Sequence, residues 1–241
     1  MPLFLRTLKT YYKKHNRGSL PWRGTTNAYK ILVSEVMLQQ TQVERVIPKY
    51  KSFLKQFPSV RALGEASLAE VLGQWQGLGY NRRGKFLHEA AKMLLEKHKG
   101  IVPRDPILIE GLPGVGHYTA RAVAAFAYNQ PEVFIETNIR TVFMYHFHSS
   151  LLQKTGIRDE EILLLVEEAL KKSKMEPRDF YAALMDYGAH LKQSGVRINH
   201  KSKHYTKQSK FEGSTRQKRA QYLRALLRRG ASETELRKAL S

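Results

Sequence analysis

One stretch limits the folds open to this chain more than any other: Gly111-Leu112-Pro113-Gly114-Val115-Gly116-His117-Tyr118-Thr119-Ala120. Gly114 and Gly116 follow Pro113 and precede a helix-forming run with Ala120, Ala122, Ala124 and Ala125. That order describes a tight hairpin opening directly into a helix. Glycine lets a backbone approach a ligand closely, and the first amides of a helix point at any anion lying there. Read from the glycines alone, a plain loop with a glycine cap fits as well, because short glycine-rich patterns are common.

Charge decides which anion such a hairpin would meet. The 241 residues carry a formal net charge of +20, which attracts polyanions or anionic membranes. No apolar run approaches the roughly 18 residues of a membrane span. The start, Met1-Pro2-Leu3-Phe4-Leu5-Arg6, lacks the apolar core of a signal peptide. Nucleic acid is therefore the favoured partner and a DNA phosphate the favoured anion, with no membrane partner. Without cysteine there is no disulfide framework, thiolate zinc site or cysteine-ligated iron–sulfur cluster. An intracellular protein of the cytoplasm or nucleoid is expected, and a monomer.

The periodicity is helical nearly throughout. Leu38, Val43, Val46, Ile47 and Tyr50 form one apolar stripe, Leu63, Leu68, Val71, Leu72 and Trp75 a second, and Phe86, Leu87, Ala90, Ala91 and Leu94 a third. Breaks fall at Pro58-Ser59, Gly77-Leu78-Gly79, Gly100, Gln130-Pro131 and Pro177-Arg178, and further helices cover 160–174 and 180–191. Val133-Phe134-Ile135 has strand composition but no partner strand, so the expected class is all-α.

Basic residues gather late. Lys192, Arg197, Lys201, Lys203, Lys207 and Lys210 occur without an intervening acid. A basic helix follows, with an apolar face at Tyr222, Leu223, Leu226 and Leu227, and then a capping box at Ser232 and Glu235 opens a last short helix. The segment reads as a solvated tail, or as a small helical module packed on DNA or on the main body. His200 and His204 lie close together but have no further ligands in sequence, and no metal site is expected.

Two acids invite chemistry. In Ser34-Glu35-Val36-Met37-Leu38-Gln39-Gln40-Thr41-Gln42-Val43, Glu35 lies among apolar residues at what reads as a helix start. Such company raises a carboxyl's pKa and suits it to deliver a proton near neutral pH; a simple interaction with the helix dipole is the alternative. Gln39, Gln40 and Gln42 can bond base edges, or serve as ordinary surface amides. Glu136 follows the hairpin some twenty residues on.

In sequence order, these residues resemble the MutY-like adenine DNA glycosylases of the helix-hairpin-helix (HhH-GPD) superfamily. The resemblance rests on Pro21-Trp22-Arg23, the 34–43 block, Val46-Ile47-Pro48, Gln74-Trp75-Gln76-Gly77-Leu78-Gly79-Tyr80, Leu87-His88-Glu89-Ala90-Ala91, the hairpin, and Met185-Asp186-Tyr187-Gly188-Ala189. It spans roughly residues 20–192. It implies two helical domains with an active-site cleft between them. Residues 22–131 would form a six-helix domain containing the helix-hairpin-helix at about 105–125, residues 1–21 and 132–212 a second domain, and 213–241 a basic helical extension.

The resemblance also assigns roles. Glu35 matches the general acid that protonates the flipped adenine at N7. Glu136, with Asn138 beside it, matches the catalytic aspartate that stabilises the cationic sugar at C1′. Keeping one carboxyl protonated and the other ionised suits these opposed tasks. Tyr118 stands where strand-cleaving relatives carry a Schiff-base lysine, and a phenol cannot form that adduct. Contacts to DNA fall to Gln39, Gln40, Gln42, Tyr80 and Arg82, to Leu112, Gly114, Val115, Gly116, His117 and Thr119 of the hairpin, and to Lys201 and Lys203. The expected partner is double-stranded DNA with a mismatch or lesion. No cofactor is expected apart from a monovalent cation at the hairpin.

Three departures stand out. Glu replaces Asp at 136, an added reach of about 1.5 Å, and a misplacement of about 1 Å can cost on the order of 10²-fold in rate. Lys192, Asn199, Ser202 and Gln208 fall near the places of four cluster-binding cysteines. The chain also stops where relatives continue into a domain that recognises 8-oxoguanine. The expected function is that of a monofunctional DNA glycosylase in base excision repair, releasing mispaired adenine opposite 8-oxoguanine or guanine. A thymine or uracil glycosylase acting on guanine mismatches, and a non-catalytic binder of lesions or DNA structures, are the alternatives.

Overall fold

The computed structural model describes residues 1–147, 156–205 and 210–240; Lys207 and Gln208, invoked above, lie outside them. Among the described residues the protein is helical and has no strand. One isolated bridge joins Ile157 to Ser202. The contacts divide the chain into two units, Met1–Ser19 with Ala124–Lys207 and Leu20–Val123 with Gln208–Ser241. The boundaries expected from the sequence, at 21, 131 and 212, differ from these, and of the two readings of the C-terminal segment the contacts match a helical module packed on the main body. By its contacts that segment belongs to the unit formed by Leu20–Val123.

In that unit α2 (Ala28–Leu38) is capped by Asn27, whose side chain accepts from the Lys30 amide at 3.1 Å, and it is buried along almost its whole length. Next come α3 (Val43–Gln56), α4 (Val60–Glu65), α5 (Leu68–Trp75) and α6 (Arg82–His98). Serines set two of the starts: Ser59 caps α4, and Ser67 forms a reciprocal capping box with Glu70 on α5. Trp75 is fully buried. A Cβ at Gly84 would come within 2.8 Å of its ring, so only glycine lets α6 lie this close. α7 (Pro106–Glu110) begins at a proline, the hairpin turns, and α8 (His117–Tyr128) follows with its alanines buried, leaving this unit at Ala124.

The last two helices, α12 (Thr215–Arg228) and α13 (Glu233–Ala239), complete this core. Ser214 caps the first, and Ser232 with Glu235 makes the expected capping box on the second. Leu223, Leu226, Leu236 and Leu240 close over Leu68 and Leu72 of α5, and Arg237 bonds Glu89 of α6 at 2.7 Å. This apolar face is therefore a packing surface. Leu226→Ala removes a side chain only 2 % exposed. It should cost about 2–5 kcal/mol, read as a lowered thermal midpoint; an unchanged midpoint would mean that the helical pair does not pack.

The other unit contains α1 (Pro2–His15), α9 (Thr137–His146), α10 (Asp159–Ser173), α11 (Pro177–Gln193) and a 3₁₀ turn, Asn199–Lys201. Phe4 of α1 packs against Phe143 of α9 with ring centres 5.3 Å apart. Val133-Phe134-Ile135 is irregular and not a strand. Phe134 stacks on Tyr181 at 3.8 Å, and the Tyr181 hydroxyl donates to the Glu132 carbonyl. The buried Asp186 carboxylate is bonded by Arg17 through its backbone amide at 3.0 Å and Nε at 2.7 Å.

Candidate active-site residues in each unit

Glu35 lies near the C-terminal end of α2, which starts at Ala28 and not near Ser34 as the sequence suggested. The earlier start follows from the Asn27 cap. There the helix dipole opposes a negative charge. Glu35 is only 6 % exposed, and the Tyr118 hydroxyl donates to its Oε2 at 3.0 Å. Tyr118 belongs to the first turn of α8, so the hairpin positions the partner of the candidate acid.

The α2 end is held by a residue that sequence reading passed over. Arg83 donates through Nη1 to the carbonyls of Val36 at 2.8 Å, Met37 at 3.0 Å and Gln39, and through Nη2 to the Thr41 hydroxyl at 2.9 Å. A guanidinium is suited to this place, because the last carbonyls of a helix lack partners and carry partial negative charge. Burial pulls its pKa down to about 10, so it stays charged at neutral pH. Arg82, the residue named from sequence, is exposed. Helical spacing separates the pair: Arg83 shares the inward stripe of Leu87, Ala90 and Leu94, which follow at successive turns.

The glutamines divide. Gln39 Nε2 donates to the Thr119 hydroxyl at 3.1 Å, tying this loop to α8, whereas Gln40 and Gln42 are exposed. Gln40, at φ +54°, and Tyr80, at φ +47°, both sit in left-handed backbone, which non-glycine residues seldom adopt. In the hairpin, Gly114 has φ +74° and a Cβ there would lie 2.5 Å from that of Phe86, so the position excludes larger residues. Leu112 and Val115 turn their side chains into the core and Thr119 is buried as well, while Gly114, Gly116 and His117 are exposed. What Leu112 and Val115 can offer a ligand is backbone.

In the second unit Glu136 is the N-cap of α9. Its Oε1 accepts from the amides of Asn138 at 2.7 Å and Ile139 at 3.0 Å, and its Oε2 from the Asn138 side chain at 3.2 Å. Shorter residues usually cap helices, and here the extra methylene is absorbed in reaching those amides. Burial pushes this carboxyl up, opposed by the two amides and by the charges of Lys192 and Arg140. The site also depends on Gly188 of α11, where a Cβ would stand 2.3 Å from the Asn138 carbonyl oxygen.

The segment near the four expected cysteine places is held by other means. Asn199 donates to the Thr141 hydroxyl at 2.8 Å, and the Gly156 and Ile157 amides donate to the Lys201 carbonyl at 3.2 Å. Ser202 is buried, and Lys203 is exposed. Amide and hydroxyl groups in hydrogen bonds do not fit an iron–sulfur cluster.

Residues 33–168 match the HhH-GPD superfamily of base excision DNA repair proteins. The chain is 43% identical over 176 residues to the adenine DNA glycosylase of Mycolicibacterium smegmatis, covering 73% of this chain and 59% of that protein. It is 34% identical over 195 residues to the adenine DNA glycosylase of Homo sapiens, covering 77% and 35%. It thus spans from about a third to three fifths of the length of these relatives. Among solved structures, a thermostable thymine-DNA glycosylase is similar with a TM-score of 0.67 at 27% identity, over 78% of this chain and 85% of that one. An endonuclease III–DNA complex shares the fold with a TM-score of 0.59 at 19% identity, over 78% and 81%.

Proposed function

The chain belongs to the HhH-GPD superfamily of base excision DNA repair proteins, and on that premise we propose that it hydrolyses the N-glycosidic bond of mispaired adenine in double-stranded DNA, opposite guanine or 8-oxoguanine. The observation that carries the reading is the buried Glu35, held by the Tyr118 hydroxyl in the helix that the hairpin opens. Two named adenine glycosylases among the relatives support the choice of base. Adenine is a poor leaving group until N7 is protonated. Glu35 gives up that proton, the electrons of the C1′–N9 bond pass to the base, and a cationic sugar is left.

Glu136 stabilises that cation as a carboxylate, and water then adds at C1′ and loses a proton. Exposed Gln40 and Gln42 and the half-buried Tyr80 meet the opened duplex, where a ring can replace a lost stacking partner. The hairpin amides at Gly114, Gly116 and His117 meet phosphate, and a monovalent cation there stays part of the proposal. Lys201 and Lys203 add charge without reading sequence. The likeness to a thymine-DNA glycosylase favours a second reading, release of thymine or uracil opposite guanine. A pyrimidine has no N7, so Glu35 would then lack its task.

The hydrolytic route leaves an intact strand. Borohydride should trap no protein–DNA adduct beyond a faint one from an incidental lysine such as Lys85 or Lys92, and strands should break only after alkali. A strong trap together with nicking in the absence of alkali would overturn the monofunctional reading.

A further inference from the structure

The turn that carries Tyr80 is reached by a residue 136 positions further along the chain. The Arg216 guanidinium lies 5.3 Å from the centre of the Tyr80 ring, and its Nη1 donates to the Tyr80 hydroxyl. Arg83 lies 5.4 Å from the same ring while bonding the α2 carbonyls. Tyr80 follows Gly79 at φ +73° and itself holds φ +47°, a conformation a tyrosine keeps only where its surroundings impose it. Arg216 is well placed to impose it. It lies in the first turn of α12, which Ser214 caps and which Leu223 and Leu226 fix to α5, the helix leading into the Tyr80 turn.

We propose that Arg216 is a positioning residue for excision: it holds Tyr80 in the orientation in which the ring meets the opened duplex. The inference rests on the reading above that Tyr80 stacks on DNA bases. It gives the C-terminal helical pair a part in catalysis beyond general affinity. A guanidinium close to a ring, with a donor spent on that ring's hydroxyl, acts through the ring and adds little to phosphate binding.

The test is a double-mutant cycle in the full chain, reading the single-turnover rate of base release at saturating protein. Arg216→Ala and Tyr80→Ala should each lower the rate about tenfold, and the double variant should be no slower than Tyr80→Ala alone. Affinity for a matched duplex should stay within about twofold, because one phosphate contact at most is involved. Arg216→Lys, which keeps the charge but not the planar fork, should restore the rate only in part. A wild-type rate in Arg216→Ala, full rescue by lysine, or losses that multiply in the double variant would each overturn the proposal. If Arg216→Ala lowers the thermal midpoint, Tyr80→Phe takes its place, since it keeps the ring and removes the acceptor; it should release base more slowly than wild type, and a wild-type rate there would overturn the brace. Wild-type protein that releases no base from any duplex removes the glycosylase reading itself, whereas release of thymine in place of adenine leaves the brace to be tested on that substrate.

Discussion

Glu35→Gln should leave a folded protein that binds duplex DNA and releases adenine at least about 10²-fold more slowly, the usual contribution of a general acid. The substitution keeps the shape of the side chain and an oxygen that can still accept from the Tyr118 hydroxyl, which lies 3.0 Å from Oε2 in the native protein. What it removes is the proton. Glu35 is buried in a helix that packs nearly all its residues inward, so a defect in folding would appear in the thermal midpoint and be told apart from a defect in chemistry. Excision at the wild-type rate by a folded Glu35→Gln protein would show that adenine leaves without this acid.

Glu136→Gln should lower turnover by about 10²–10³-fold, the range seen when one electrostatic stabiliser of a transition state is lost. The amide oxygen can still cap α9 through the Asn138 and Ile139 amides, so duplex affinity and fold should persist. Glu136→Asp keeps the charge and is a better cap by type, and it should retain activity. The ionised form is the one required, and burial pushes this carboxyl up. Below its pKa the group is neutral and cannot steady a cation, so turnover should fall on the acid side at a pH above the ordinary carboxylate range. An acid limb inside that range, or full activity in Glu136→Gln, would assign the role to another group.

Much of this was legible in the chain, for identifiable reasons. Glycine and proline punctuate sharply, so a turn at 111–116 and a helix after it could be read from the residues, while the choice of a hairpin over a plain capped loop rested on the resemblance. Ser232 and Glu235 form a local pattern three residues apart, and it is a capping box in the structure. The start of α2 was misread because the Ser34 block drew attention from Asn27, whose cap sets the helix register. Arg83 was missed for its neighbour Arg82, since two adjacent arginines look alike until the helical stripe separates them. The partner of the C-terminal leucines was out of reach: periodicity shows that Leu223 and Leu226 make an apolar face, but not that Leu68 and Leu72 cover it. Truncation after Gly213 removes that face and should cost the fold of this unit.

The central claim is the identity of the base that leaves. Duplexes carrying adenine opposite 8-oxoguanine or guanine, and thymine or uracil opposite guanine, would be incubated with excess wild-type protein. The freed base would be identified and abasic sites revealed with alkali. Free adenine should come from the adenine duplexes, with strands intact until alkali is added. Free thymine or uracil with adenine left in place, or no base from any duplex, would contradict that claim.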